Sequence, residues 1–483
     1  MINATRSLRG ASKPEPLATT DKYQEKREAI LVAAAQEFNQ HGIKGATLEG
    51  VASRVGLLKA SVNYYYRRKE DLAADAMLRS IATLHELVSA ALKAPSPAEQ
   101  IRSLLRGQAA LLAEVADGRR SELVSLNEVR ALAAPQGDQV AEAYNALFRK
   151  LRAIFSAPGV AASALPASAL PASGSHDGLD RSAQLDRLDR SGHFERFERF
   201  DRFERNARTY LLLTLTTGMR VWMLRFEPED YVRVADQLSD LLIGGLAREP
   251  ERWGEPAALD WVSIASGEHA TREAFLRAAT TLINEQGYRG ASVDRISARL
   301  NLTKGSFYHH HASKDDLVAL CFEHSFDVIR RTQLLAIDRL ASGGERLAAT
   351  ACALVRFQLS DQGPLLRATA RSALADASRS LTVSHMAQLT ERFGLFIVDG
   401  MIEQSIRPVD ASMAAQQVAT MINAASALRW WVPGMHPDSA VRLFAQPLFV
   451  GLLTPCPARG VRPACQSGAS ADLSSLSPGV PSS

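Results

Sequence analysis

Apolar side chains recur at helical spacing along most of the chain. Ile30, Ala34 and Phe38 follow one another every four residues. This period predicts a first helix with one apolar face, beginning near Lys26. Gly42 follows the last apolar position, and a glycine there is typical of a helix end.

A short second helix is predicted after Thr47, whose hydroxyl group suits an N-cap. Leu48, Val51 and Val55 lie at i, i+3 and i+7, so this helix has a single apolar face. Gly56 then permits a tight turn. Two more helices are predicted at 58–65 and at about 69–93. Together these elements form a helix-turn-helix head.

The same pattern starts again 245 positions later (302 − 57). Without gaps, 27–72 and 272–317 share 17 identical pairs in 46 positions. The ends of the two units also match, 220–237 against 429–446, with an offset of 209 (429 − 220). The difference between the offsets, 36 (245 − 209), means that the first unit carries about 36 extra residues. The chain is therefore an internal duplication with an insertion in its first half.

Nested short repeats fill 157–205 and are the natural place for the extra residues. Their phenylalanines, at 194, 197, 200 and 203, recur every three positions. A period of three precesses around an α-helix and cannot hold one apolar face. We expect a low-complexity insertion in a surface loop, disordered in its first half, with a frayed helical extension before the helical pattern resumes at Asn206.

These observations predict an all-α fold in which two similar units follow one another. The predicted segments are a disordered arm at 1–22, a helix-turn-helix domain at 23–83, a helical regulatory domain at 84–247 with the insertion at about 157–205, a linker at 248–267, a second helix-turn-helix domain at 268–328, a second helical regulatory domain at 329–453 and a disordered tail at 454–483.

Composition adds few constraints. A net charge of +4 over 483 residues does not by itself indicate nucleic acid, so any basic surface is local. The four cysteines lack metal-ligand spacing and fit a reducing cytosol, which predicts a cytoplasmic protein. No apolar run reaches the length of a membrane span or a signal peptide core.

The start of each unit resembles the TetR family of bacterial transcriptional regulators. The second unit reads KGSFYHHH at 304–311, followed by Lys314 and Leu317, and it departs from the family pattern only at His311. The first reads KASVNYYY at 59–66, followed by Lys69 and Leu72. It departs at Ala60, at Asn63 and at Leu58, where a serine or threonine cap is common. Beyond these heads, the resemblance extends only to helical content and length.

The resemblance implies a DNA-binding head in each unit, with a recognition helix in the major groove. Asn63 has the amide geometry that pairs with adenine in that groove. Because Leu58 cannot cap the third helix, the first head is expected to be less firmly ordered. The candidate DNA-binding residues are Thr47, Arg54, Lys59, Ser61, Asn63, Tyr64, Tyr65 and Lys69 in the first unit, and Ser292, Arg299, Thr303, Lys304, Ser306, Tyr308, His309 and Lys314 in the second.

The sequence gives little support for a metal site or an enzyme active site. Three adjacent histidines at 309–311 point about 100° apart on a helix and cannot converge on one metal ion, so we predict no metal site. The chain has no nucleophile elbow, phosphate loop or dinucleotide fingerprint, so we predict no enzyme and no cofactor. Trp222, Trp430 and Trp431 are candidates for a ligand pocket in the regulatory domains, and core packing is the alternative.

The resulting hypothesis is a sequence-specific DNA-binding repressor released by an unknown small-molecule effector. Its two heads would form a pseudo-dimer within one chain and bind an asymmetric double-stranded operator. A homodimer of chains with four heads is the alternative assembly. An adaptor whose first head no longer binds DNA is the alternative function. The low net charge disfavours non-specific DNA compaction.

Overall fold

The computed structural model describes residues 21–156, 194–259, 268–300 and 314–455. Within these ranges the chain is built from helices, and the strand-like pairing there is one isolated bridge between Ala247 and Ile406. The helices of the first half are α1 (Asp21–Gly45), α2 (Leu48–Val55), α3 (Lys59–Tyr65), α4 (Lys69–Ala91), α5 (Pro97–Ala116), α6 (Gln136–Leu151), α7 (Phe194–Trp222) and α8 (Tyr231–Gly244).

The second half repeats this order, with the counterpart of α3 outside the described residues. Its helices are α9 (Glu268–Gly290), α10 (Val293–Arg299), α11 (Lys314–Arg339), α12 (Gly343–Leu359), α13 (Asp376–Ile402), α14 (Ala411–Ala424), α15 (Pro437–Ala440) and α16 (Gln446–Val450). A π-helical turn, Val441–Ala445, joins the last two. The all-α fold predicted from the sequence is confirmed.

The local signals of the two heads are where the sequence predicted them. Gly42 and Gly287 break their helices at φ 69° and φ 70°, in the left-handed region that favours glycine. The Thr47 hydroxyl accepts a hydrogen bond from the Gly50 amide at 2.9 Å and caps α2. Ser292 caps α10 in the same way. These short-range interactions fix the turns that lead into each recognition region.

The second half of the low-complexity segment has the helical extension that the sequence predicted. Helix α7 begins at Phe194, well before Asn206, so its backbone is helical through the FER repeats. Helix formation there does not need one continuous apolar face, because the helix continues from a strongly apolar and buried stretch beyond Ala207.

Residues 157–193 lie outside the described residues, as do the predicted arm through residue 20 and the predicted tail from residue 456. The domain boundaries remain predictions. Among the helices that the structure describes, none has both the length and the apolarity to cross a bilayer.

The regulatory parts of the two halves pack against each other through α7 and α8 of the first and α14, the π-helical turn and α16 of the second. Hydrogen bonds cross this contact at several levels. The Tyr210 hydroxyl group donates to the Ala424 carbonyl oxygen at 3.1 Å, and the Asn206 amide donates to the Trp431 carbonyl oxygen at 3.0 Å. The two halves are therefore joined along the length of these helices.

One side chain from the second half is seated among aromatic rings of the first. Trp431 stacks on Phe148 with ring centroids 3.8 Å apart and planes inclined by 9°. Tyr144 and Tyr210 flank it at 5.6 Å and 6.1 Å. Buried apolar residues of both halves form one continuous cluster around this contact, whereas the second head has a separate cluster around Phe275 and Phe322.

The two heads also touch directly, α1 against α9. Lys44 lies so close to Gly290 that a Cβ atom there would come within 2.5 Å of its Nζ. Burial, together with the nearby Arg295, lowers the pKa of Lys44. The heads therefore meet at a junction where Lys44 lies near a second cation, Arg295, as well as the Glu128 carboxylate.

Candidate nucleic-acid interface

Helix α3 divides its side chains between the core and an exposed face. Val62 and Tyr66 are buried, whereas Lys59, Asn63 and Tyr64 are exposed, with Tyr64 at 75% of its full area. Lys59 and Asn63 follow the i, i+4 spacing of one helical face, and Tyr64 is exposed next to Asn63. This face offers an ammonium group, a carboxamide and a phenol to a partner in front of the head. Ser61 is half-buried beside it.

The three adjacent tyrosines point in different directions, as the helical geometry requires. Tyr66 enters the core, where its hydroxyl group donates to Asp75 at 2.9 Å. Arg27 holds the same carboxylate at 2.5 Å, and burial followed by Asp75 raises the pKa of the Tyr66 hydroxyl group. Tyr65 instead packs on Tyr23 of α1 with centroids 4.8 Å apart. Tyr64 is the most exposed of the three, and its ring meets the Tyr65 ring edge-on with centroids 5.3 Å apart.

Three other candidates of the first head already have partners within the protein. Thr47 caps α2, as described above. Arg54 forms an ion pair with Glu37 at 2.9 Å and also hydrogen-bonds to Gln40. The Lys69 ammonium group donates to the carbonyl oxygens of Lys44 and Ala46, both at 3.1 Å. In the free protein these groups hold the head together, and their contacts with phosphate remain predictions.

The second head is described only in part. Ser292 caps α10, and Arg299 lies 3.5 Å from Glu285. This pair is the counterpart of Arg54 and Gln40, since both positions are shifted by 245 (299 − 54 and 285 − 40). Lys314 is the first residue of α11. The other candidates of this head lie outside the described residues, namely Thr303, Lys304, Ser306, Tyr308 and His309.

Comparison with known proteins assigns both heads to one family. A family model described as bacterial regulatory proteins of the tetR family matches residues 30–76 and again 275–321. The two matches are 245 positions apart (275 − 30), the same offset as the internal repeat. Both heads belong to the TetR family. The chain carries two TetR-like units, as the sequence motifs predicted.

Individual relatives resemble shorter parts of the chain. The TetC protein of transposon Tn10 from Escherichia coli is 35% identical over 60 residues, which is 12% of this chain and 30% of TetC. The transcriptional repressor DhaR of a Mycobacterium species is 27% identical over 138 residues, 28% of this chain and 70% of DhaR. The TetR-family regulator PfmR of Thermus thermophilus, a solved structure, is 23% identical over 37% of this chain and 98% of its own, with a TM-score of 0.32.

Each TetR-type head is attached to its regulatory part by one asparagine, Asn39 in the first head and Asn284 in the second, and we call this contact the asparagine latch. The Asn39 amide donates to the Leu123 carbonyl oxygen at 2.9 Å, and its oxygen accepts from the Ser125 amide at 2.8 Å. Asn284 repeats both bonds, with the Leu365 carbonyl oxygen at 2.8 Å and the Arg367 amide at 3.0 Å. Both asparagines therefore clamp the same part of each unit, the segment that follows α5 or α12.

Sequence reasoning missed this latch. A signal was present, because Asn39 and Asn284 are one of the identical pairs in the repeat, yet neither lies on the apolar stripe. In the first unit the latch is reinforced by Arg220, which donates to Asn39 at 3.3 Å and to Glu122 at 3.1 Å. Glu128 also accepts from the Ile43 amide at 2.8 Å.

We expect Asn284→Ala to loosen the second head by about 1–3 kcal/mol, because it leaves a carbonyl oxygen and an amide without partners in a half-buried contact. Hydrogen exchange of the α9 amides would report the loss. Asn39→Ala is the matched control, since it should act on α1 in the same way and leave α9 unchanged. Equal exchange of both heads in both variants would contradict the latch.

None of the three tryptophan candidates lines the cavity that the structure shows in the second regulatory part. Trp222 is buried with Phe226 beside it, Trp431 stacks on Phe148, and Trp430 is 49% exposed under the Arg130 guanidinium group. Their role in a ligand pocket remains a prediction. The cavity itself has a volume of about 50 Å³. Its lining includes Phe322, Phe326, Leu354, Leu365, Leu366 and Asn423.

Proposed function

We propose that the chain is a sequence-specific DNA-binding transcriptional repressor whose two heads act together as a pseudo-dimer within one polypeptide. The observation that carries this proposal is the packing of the two regulatory parts through α7, α8, α14, the π-helical turn and α16, with one TetR-type head attached to each. Such an arrangement gives one chain the two reading heads that a two-fold pair of subunits otherwise supplies.

An asymmetric operator follows from the difference between the heads. The first presents Lys59, Asn63 and Tyr64 on its exposed face, and the corresponding positions in the second are Lys304, Tyr308 and His309. Different side chains select different base edges in the major groove. We therefore expect two unlike half-sites, about one helical turn or roughly 34 Å apart.

Selection of DNA fragments from a random pool by the purified protein tests this proposal directly. Two unlike half-sites, bound by a protein whose mass in solution is that of one chain, would support it. A perfect palindrome bound by a mass of two chains would instead support the homodimer with four heads. Failure to enrich any sequence would overturn DNA-specific repression.

Replacing Lys59 and Asn63 by alanine should weaken operator binding by about 5-fold to 150-fold, because a bidentate base contact contributes roughly 1–3 kcal/mol. Fluorescence anisotropy with a labelled operator would measure the change. Lys93→Ala is the control, since it removes one exposed positive charge far from α3. If the double variant binds like the control, the first head does not read DNA and the adaptor alternative applies to that half.

Release by a small effector fits the position of the cavity in the second regulatory part. At about 50 Å³ it must expand to hold a typical ligand, for which pockets of roughly 300 Å³ or more are usual. Its lining includes Leu365 and Leu366, whose backbone segment is clamped by Asn284 of the second head. Expansion of the cavity would therefore act on the latch and shift the population of head positions.

A further inference from the structure

Leu58 occupies an unexpected place at the start of the recognition helix. It is the N-cap of α3, with φ −74° and ψ 149°, and its side chain makes no capping hydrogen bond. Leucine is among the poorest residues for this position, whereas serine and threonine stabilise a helix start. The repeat places Thr303 at the corresponding position of the second head (58 + 245). The stability of helix α3 therefore does not explain a leucine at its N-cap.

The Leu58 side chain is also the most exposed among the first head's large apolar residues, at 78% of its full area. It is not drawn into the core that holds Val62 and Tyr66. It directly precedes Lys59 at the N-terminal end of α3, and both residues are exposed. Covering this exposed isobutyl group by a partner would be favourable, because it would remove apolar surface from water.

The major groove contains one apolar group that such a side chain can cover. Thymine carries a methyl group at C5, and cytosine, adenine and guanine present hydrogen-bonding atoms to the same groove. In helix-turn-helix proteins the N-terminal residues of the recognition helix are the ones that reach base edges. A leucine at the N-cap of α3 thus has the position that reaches base edges and the apolar side chain that suits a methyl group.

We propose that Leu58 is a specificity-determining residue of the first head, which reads a thymine through its methyl group. This inference rests on the proposed DNA-binding function and adds the base class that one half-site must contain. Loss of the helix cap is then the cost of placing an apolar side chain at the first base-reading position.

Deoxyuridine provides the probe, because it keeps every hydrogen-bonding group of thymidine and lacks only the methyl group. Each thymine of the selected operator would be replaced in turn by deoxyuridine, and the affinity of the full chain measured by anisotropy. At one position in the first half-site we expect binding to weaken about fourfold, which corresponds to burial of one methyl-sized group.

The Leu58→Ser variant tests whether Leu58 makes the contact at that thymine of the operator. The variant should bind the thymine and deoxyuridine operators equally, while its melting temperature stays the same or rises, because serine restores the cap. Leu58→Met is the matched control: it keeps a long apolar side chain and should preserve the discrimination. A lower affinity of Leu58→Ser therefore cannot be ascribed to an unfolded head.

The outcomes separate this inference from the function on which it rests. If no operator is selected, the DNA-binding function itself fails. If an operator is bound but no deoxyuridine substitution in the first half-site matters, or if Leu58→Ser discriminates as the natural protein does, the thymine contact is refuted while DNA binding stands.

Discussion

Trp431→Ala is expected to lower the free energy of unfolding by about 3 kcal/mol, the lower end of the usual cost of removing a large aromatic side chain, because Trp431 is half-buried. The ring stacks on Phe148 at 3.8 Å and lies between Tyr144 and Tyr210, all three in the other half of the chain. Its loss leaves a cavity in the contact between the halves. Urea denaturation followed by circular dichroism would measure the change.

The neighbouring residue supplies the control. Trp430 is 49% exposed, and the Arg130 guanidinium group lies over its ring, 4.7 Å from the centroid. Trp430→Ala should therefore cost about 1 kcal/mol or less, the typical worth of an exposed cation–π pair. Equal destabilisation by the two variants would show that Trp431 does not join the halves. Separate unfolding of two units in the Trp431 variant would be the strongest support.

Arg208→Ala is expected to destabilise the chain by a similar amount, about 3–5 kcal/mol, as when one partner of a buried ion pair is removed. The Arg208 side chain is 4% exposed and pairs with Glu204 at 2.6 Å. It also donates to the carbonyl oxygens of Leu452 and Thr454, both at 2.6 Å. Alanine would leave the carboxylate and both carbonyl oxygens without these bonds.

Arg202 lies on the same helix, is exposed, and carries the same charge. Arg202→Ala should change the stability by no more than about 0.5 kcal/mol, which is usual for an exposed site without special contacts. Hydrogen exchange of the Leu452 amide, which donates to the Leu242 carbonyl oxygen at 2.8 Å, would show whether the C-terminal turn detaches in the Arg208 variant. Protection of that amide at the natural level would rule out an anchoring role for Arg208.

Periodicity and capping predicted the heads well, because both depend on residues close in sequence. The α2 helix has the bounds that its i, i+3, i+7 pattern indicated, and Thr47 caps it. The duplication likewise followed from residue identities alone. These features need no knowledge of the tertiary structure, since one turn of helix and one hydroxyl group determine them.

The remaining features depend on partners distant in sequence. Nothing near Trp431 indicates that it stacks on Phe148, which lies almost 300 positions earlier, nor that Lys69 holds the turn after α1. The candidates Lys59, Asn63 and Tyr64 could be named because a helical face is a local property. Their neighbours Arg54 and Lys69 have additional roles in the fold that only the assembled head reveals.

The shared core of the two halves has a consequence for how the protein responds to its own abundance. Subunits that pair by collision fall apart on dilution, so the amount of active pair rises more steeply than the amount of polypeptide. Here α7 and α14 belong to one chain, and their pairing is an intramolecular event that does not depend on concentration. Occupancy of a DNA site by such a molecule would follow the number of chains in simple proportion, even when a cell holds only a few copies.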